Sequence, residues 1–263
     1  MIALIKFLNR FGFGRGKLKK INNIILESYL KKNNTDKIEY KYYGKIFILY
    51  PLDNATDNKM IISSKKYENE ELKYLKNLKK NDKSVFLDIG ANMGYYSIMS
   101  SNYGFKKIYA FEPAPKMINR IQKNIKINNL EKLIEIIPYA IGEEKKEVTF
   151  YEEPTNHGGS SLFQASQRTK EIKVQMLSLN EFISNNSIKN IDALKIDIEG
   201  YEDRVLMPFF KNSPINLLPK LLIIEHSSLN EWKDDIIDWM INNNYSLVYK
   251  SRGNSVLKYH KNI

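Results

Sequence analysis

Residues 85–97 read V-F-L-D-I-G-A-N-M-G-Y-Y-S: an apolar run ends in Asp88, and Gly90, Asn92 and Gly94 follow at every second position. Glycines after a first strand let the backbone turn tightly and approach a ligand closely. A dinucleotide would favour G-x-G-x-x-G, whose backbone receives a pyrophosphate. Here a carboxylate opens the turn. It repels a pyrophosphate and suits an ammonium or sulfonium cation, which points to S-adenosylmethionine as cofactor. One strand–helix–strand step downstream, Y-A-F-E-P at 109–113 ends its strand in Glu112. A carboxylate there can accept hydrogen bonds from both ribose hydroxyls. Tyr139 and Ala140, at the end of the next apolar run, lie where an adenine could pack.

Two further stretches carry charge where burial makes charge costly. In L-K-I-D-I-E-G-Y-E, residues 194–202, an extended segment puts Lys195, Asp197 and Glu199 on one face. Such density at a buried strand end is expensive unless paired or used, so these three are candidate catalytic residues. In L-L-I-I-E-H-S, residues 221–227, Glu225 and His226 follow four apolar residues. A neutral His226 could take a proton from a hydroxyl, and Glu225 could contact the acceptor. Asp197, Glu199 and Glu225 could alternatively hold a divalent ion through oxygen, although no metal site is assigned. The T-N-H-G-G-S-S-L stretch at 155–162 adds His157, Gly158, Gly159, Ser160 and Ser161. Its short donors and acceptors suit a polyhydroxylated acceptor, with the glycines allowing close approach or hinging.

Positioning these groups requires regular elements. Apolar runs at 85–89, 107–111, 134–139, 193–198 and 221–225 predict five strands. Helical spacing at 95–102, 116–128 and 231–243 places helices between them. Strands alternating with helices predict an α/β fold with a doubly wound, mostly parallel sheet. Segments 245–249 and 255–259 flank Arg252-Gly253-Asn254 and predict a C-terminal antiparallel hairpin. Between the third and fourth strands lies a long insert, with extra strands at 148–151 and 172–177 around the 155–162 loop. Residues 1–80 form an extension and 81–263 the main domain. In the extension, helices span 1–32, broken at Gly12, Gly14 and Gly16, and a hairpin spans 38–50 around Gly44. A polar loop at 51–58 and an amphipathic helix at 68–80 complete it.

Taken together, residues 85–230 resemble the FkbM-type family of S-adenosylmethionine-dependent methyltransferases. The resemblance rests on D-I-G-A-N-M-G-Y-Y-S, F-E-P at 111–113, Asn124 with Asn128, and A-I-G at 140–142. It continues through G-G-S-S-L at 158–162, K-I-D-I-E-G-Y-E at 195–202 and E-H at 225–226. It implies a class I methyltransferase (Rossmann-like) fold and O-methylation, usually of sugar or secondary-metabolite hydroxyls. Where the family often has Leu-Asp, this chain has Leu179-Asn180, an Asn that can still cap a helix. The expected reaction is methyl transfer to a sugar hydroxyl of a glycan, polysaccharide or glycosylated metabolite. Asp197, His226 and Glu199 are the candidate bases, and Lys195 holds the base or an acidic acceptor. The glycine turn is expected to hold the cofactor and the 155–162 loop the acceptor, so changes at Gly158-Gly159 should leave cofactor affinity intact.

Composition narrows the alternatives. A chain of 263 residues, 43% hydrophobic and 27% charged, buries a full core and is neither collagen-like nor wholly disordered. Cysteine is absent and there are three His, which excludes disulfides, thiolate metal sites and a cysteine nucleophile. A net charge of +11 permits a polyanion partner, but Lys, Asn and Ile are abundant together, as in translations of A+T-rich genomes. The charge is spread and shows no aromatic-interleaved basic stripe, so a nucleic-acid methyltransferase is the lesser reading. A cofactor-binding protein without catalysis is the other. Lys6 and Arg10 interrupt the apolar start, which makes a poor signal peptide and leaves a cytoplasmic location by default. The N-terminal helix is expected to pack on the main domain or across a homo-oligomer. The alternative is contact with the inner face of a membrane.

Overall fold

A computed structural model describes residue 5, residues 15–63, 67–164 and 169–260, with side chains of residues 15–19 left aside. The central sheet is built from β3 (Val85–Ile89), β4 (Lys107–Phe111), β5 (Ile134–Ile137), β9 (Ala193–Ile196), β10 (Leu221–Glu225), β11 (Tyr245–Lys250) and β12 (Asn254–Tyr259). Their spatial order is β11-β12-β10-β9-β3-β4-β5. β12 pairs antiparallel with both neighbours, and the remaining adjacent pairs are parallel. This is the class I methyltransferase sheet, with the order reversing between β3 and β9. Ligands bind at such a switch point, beyond the carboxyl ends of the strands.

The parallel strands are mostly apolar because both faces are covered. Period-two alternation splits them between two cores: Phe86 and Ala193 face one, Leu87 and Leu194 the other. The second core is closed by α6 (Leu179–Asn185), α7 (Glu202–Asn212) and α8 (Ile236–Ile241). The first is closed by α4 (Tyr95–Met99) and α5 (Pro115–Ile127), together with much of the N-terminal region. That region contributes α1 (Arg15–Lys32), a hairpin of β1 (Ile38–Tyr42) and β2 (Lys45–Leu49), α2 (Ala55–Ile62) and α3 (Asn69–Asn77). Leu26, Phe47, Met60 and Leu75 from these elements pack in one cluster with Phe86 and Ile108 of the sheet. The hairpin turns through Tyr43 and Gly44, both at positive φ, as a two-residue hairpin turn requires. Its outer edge is tied down by α5: Asn124 accepts from the Ile48 amide at 2.7 Å, and Asn128 brackets Ile46. The N-x-x-x-N spacing thus puts two carboxamides one helical turn apart against a strand edge that would otherwise be unpaired.

A small sheet of β6 (Ala140–Gly142), β8 (Lys170–Ser178) and β7 (Lys146–Glu152), in that order, rises from the end of β5. Its apolar side packs on Ala114 and Met117. No helix among the described residues is long and apolar enough to cross a membrane.

Several expected elements differ. The polar 51–58 stretch is a turn only as far as Asn54, which caps α2 by accepting from the Thr56 and Asp57 amides. Asp57 and Asn58 turn inward to Tyr50 N and Pro51 O. Polar residues buried against backbone give no helical periodicity. The helix over 202–212 is not anticipated, since Pro208 lies inside it and a proline there normally argues against a helix. The 231–243 helix shortens to 236–241, behind the 3-10 turn Leu229–Glu231. The strand expected to reach Tyr139 stops at Ile137, and Ala140 begins β6 in the small sheet. Gly16 lies within α1 rather than breaking it, while Gly12 and Gly14 fall outside the described residues. Ser178, not Asn180, caps α6; Asn180 instead accepts from the Ser213 hydroxyl.

Candidate active site

The turn after β3 is drawn tight by the Phe111 carbonyl, which accepts from the Gly90 and Ala91 amides at 3.1 and 2.9 Å. Gly90 has φ +74, and a Cβ there would overlap the Asp197 carbonyl, so only glycine lets the two strand ends meet. Glu112 holds the turn from the β4 side, one oxygen taking the Asn92 amide at 2.9 Å and the other the Ala114 amide at 3.0 Å. Burial pushes Glu112 up to about 7, against the pull of those two N–H groups. Each of its oxygens keeps a further lone pair for an incoming donor.

Asp88 is fully buried beneath the turn. It accepts from the Ser97 amide at 3.0 Å and hydroxyl at 2.6 Å, fixing the start of α4. Lys195, also buried, donates to the Gly90 carbonyl at 2.8 Å and lies 3.5 Å from Asp197 and 3.8 Å from Asp88. Burial alone would depress its ammonium, but Asp197, Asp88 and Glu68 hold it above the ordinary value. Beyond β9 the chain folds back through Glu199 and Gly200, at φ 56 and 100. Glu202 reaches back to accept from the Ile198 and Gly200 amides and the Trp232 indole. Burial, followed by Asp197 and Glu225, drives Glu199 up to about 8.

These elements enclose a cleft of about 570 Å³, measured to its open mouth. Gly90, Asn92, Glu112, Tyr139 and Ala140 line it together with His157, Gly158 and Ser160, and with Asp197 and Glu199. Most of the candidate cofactor, acceptor and catalytic residues therefore share one space. Asp88, Gly94 and Lys195 do not line it. They hold its floor, and the Gly94 hydrogen faces Ile121 of α5. Gly159 and Ser161 also lie off the lining. Ser161 is buried, its hydroxyl accepting from the Phe163 amide.

Two further placements require correction. His226 is not in the cleft. Its ring meets the Ser255 hydroxyl at 3.1 Å and the Arg252 backbone, and its own amide donates to Gly253. Both polar edges are occupied in holding the turn after β11, so the ring cannot serve as the base at Asp197. Glu225 lies behind the cleft, accepting from the Ser227 amide at 2.6 Å through one oxygen; its other oxygen is buried without a hydrogen bond. The 155–162 loop is also more than an acceptor holder. A Cβ on Gly158 would stand 2.6 Å from the Asn92 carboxamide, so this loop closes directly over the glycine turn.

Residues unmarked by motif complete the wall. The Asn54 amide donates to the Asn92 side-chain oxygen at 2.7 Å. Asp53 takes a bidentate grip from Arg120 at 2.7 and 2.8 Å and a third bond from Lys116, whose ammonium also meets His157 at 2.8 Å. Burial and the Lys116 charge lower the His157 value, keeping that imidazole neutral as the ammonium's acceptor. Arg120 was detectable as the one charged residue on the apolar stripe of α5, among Met117, Ile121 and Asn124. Asp53 and Asn54 carried no such signal.

The donor set fits S-adenosylmethionine. Glu112 offers spare acceptors for ribose hydroxyls, and Tyr139, Ala140, Phe150 and Leu162 give an apolar slot for a purine. Asp197 beside the closely approached Gly90 backbone suits a sulfonium.

Fold and site together are those of the class I S-adenosylmethionine-dependent methyltransferases. Residues 88–247 match the model of the methyltransferase FkbM domain, and the chain belongs to that family. Among curated proteins, Methyltransferase 1 of Beauveria bassiana is 29% identical over 147 residues, covering 48% of this chain and 58% of the relative. Hexuronic acid methyltransferase AglP of Haloferax volcanii is 21% identical over 122 residues, covering 46% and 48%. The chain thus spans about half the length of the curated relatives it matches. Among solved structures, an FkbM methyltransferase from Methylobacillus flagellatus superposes with a TM-score of 0.45 at 15% identity, over 78% of this chain and 53% of that one.

Proposed function

We propose that the protein transfers a methyl group from S-adenosylmethionine to a hydroxyl of a sugar-containing acceptor. The carrying observation is the cleft itself, where Asp197 and Glu199 face the glycine turn over the buried ammonium of Lys195. The bound cofactor supplies an electrophilic methyl on a sulfonium. Glu112 holds the ribose, and the slot beside Tyr139 and Ala140 holds the purine. Asp197, 3.5 Å from the Lys195 ammonium, accepts the proton of the acceptor hydroxyl. Glu199, raised to about 8, stays protonated near neutrality, so its hydroxyl can donate to the acceptor and orient it. The loop carrying Gly158 and Ser160 closes the cleft against water. A sugar acceptor is supported by the short polar groups on that loop and by the distant relative named for hexuronic acid.

Calorimetry with S-adenosylhomocysteine and methyl-labelled transfer to a panel of saccharides test this. Glu112→Ala should weaken cofactor-product binding by about 1.5–3 kcal/mol, the range for hydrogen bonds to a charged group. Transfer should decline as pH rises through about 8, and Glu199→Gln should remove that decline. Binding of a nicotinamide dinucleotide in place of S-adenosylhomocysteine would refute the cofactor. Label entering RNA but no saccharide would refute the acceptor.

A further inference from the structure

Beside the cleft runs a second, wider groove that the reaction described above does not use. It extends over about 2,220 Å³ including its open side, against about 570 Å³ for the cleft measured in the same way. Its walls come from Tyr43 and Lys59 and from three longer segments: 67–71 at the start of α3, 226–229 after β10, and 249–254 at the closing hairpin. The first and last of these lie outside residues 88–247, the part shared with the family. Most of the groove's lining therefore lies outside that matched span.

We propose that this groove seats the acceptor, and that the acceptor is an extended saccharide chain rather than a single sugar; the inference rests on the sugar-directed methyl transfer proposed above. Three features support it. The first is the junction. Ser227 and Leu229 line the groove, and Ser228 between them stands 3.4 Å from where a Gly200 Cβ would be, beside Glu199 of the cleft. Glu68 also lines the groove, and its backbone is left-handed, φ 44, a conformation that a non-glycine residue holds at a cost and that clusters at functional sites. A chain lying in the groove thus reaches the cleft at the Ser228–Gly200 contact.

The second feature is the surface. Tyr43, Tyr67 and Tyr249 line it, interleaved with Asn69, Ser227 and Ser251. Aromatic faces cover the apolar side of a pyranose ring, and short polar groups meet its hydroxyls. The third is charge. Glu68, Glu70 and Glu71 line the groove against Lys59 and Arg252, so its lining is acid-rich although the whole chain carries +11. A phosphate backbone needs a cationic track, and this lining opposes one. A polyhydroxylated chain has no such requirement.

The test uses the full chain, S-adenosylmethionine, and ladders of neutral hexose and hexuronate saccharides from single sugars to long oligosaccharides. Label transfer gives kcat and KM, and saturation-transfer NMR in the presence of S-adenosylhomocysteine gives binding without turnover. KM should fall about tenfold from the single sugar to the longer chains, equivalent to one good subsite contact. Tyr249→Ala should reverse that gain for the long chains, leaving kcat and S-adenosylhomocysteine affinity unchanged. Because Tyr249 also meets Tyr74, Leu229→Ala, at a half-exposed groove position, serves as the second variant and should act in the same direction. Transfer that ignores chain length and both variants would overturn the groove and leave sugar methylation standing. Length-dependent binding without transfer would uphold the groove and remove the chemistry. Neither binding nor transfer would overturn both.

Discussion

One wall of the cleft is held by paired polar groups. Asp53 binds Arg120 and Lys116, Lys116 meets His157, and Asn54 holds Asn92. On the acceptor side, Glu199 feels the like charges of Asp197, Glu225 and Glu202, the Lys195 ammonium lies 3.5 Å from Asp197, and one Glu225 oxygen has no hydrogen bond. The first arrangement is a latch: it stabilises a wall and fixes its shape. The second stores unfavourable burial of like charges, which an acceptor hydroxyl or a proton can relieve. The same fold edge therefore separates groups that secure from groups that react.

The largest expected effect breaks the reactive half. Asp197→Asn should lower label transfer by about 10²–10⁴-fold, the range for a general base, while S-adenosylhomocysteine affinity stays close to wild type. A comparable loss of affinity would show that Asp197 belongs to the securing half instead.

Breaking the latch comes next. Asp53→Ala strands the buried Arg120 guanidinium without its bidentate partner. Asp53 itself is about one-quarter exposed, so denaturant unfolding should show a loss of about 2–3 kcal/mol, short of the ~3–5 for a wholly buried pair. The off-rate of S-adenosylhomocysteine should rise alongside. An unchanged off-rate would separate the latch from cofactor retention.

Gly158→Ala sharpens the boundary between the two halves. The added methyl meets the Asn92 carboxamide at 2.6 Å, and Asn54 restrains that carboxamide. Cofactor-product affinity should fall about tenfold, or 1.4 kcal/mol, by calorimetry. An affinity that holds would return this loop to the acceptor alone.

A pH-dependent effect comes from Asp57, wholly buried under the latch and pushed by burial up to about 7. Its folded value lies above the unfolded one. The stability it confers is thus complete below about pH 4 and is lost as pH rises through about 7. Asp57→Asn keeps an acceptor for the Tyr50 amide and removes the charge. Melting curves should show the variant more stable than wild type by about 1–3 kcal/mol near pH 8, with the gap closing in acid.

Much of this site was legible in the sequence because the relevant signals are local. Gly90 before a carboxylate-anchored turn, Glu112 at the next strand end, and the charges of 195–202 after an apolar run each state their chemistry within a few residues. The strands they terminate are equally local, being short apolar runs between polar turns. His226 was misjudged for the complementary reason. Its position after a strand was readable, but its partners, Ser255 and Arg252, arrive from a hairpin elsewhere in the chain.

The sequence by itself determined the central strands and the candidate charged groups at their ends, since periodicity, glycine turns and strand-end charges depend on neighbours along the chain. Tertiary structure alone decided which side chains face the same space. Asp53 and Asn54 sit in a polar stretch that reads as a loop, yet α2 and its cap carry them to Arg120 and Asn92, dozens of residues away. Asp197 reaches the cleft while Glu225, at the end of the adjacent strand, lies behind it, because the left-handed turn at Glu199-Gly200 redirects the chain. Pairing across such separations is set by packing and by the need to satisfy buried charge. Neither leaves a local pattern in the residues.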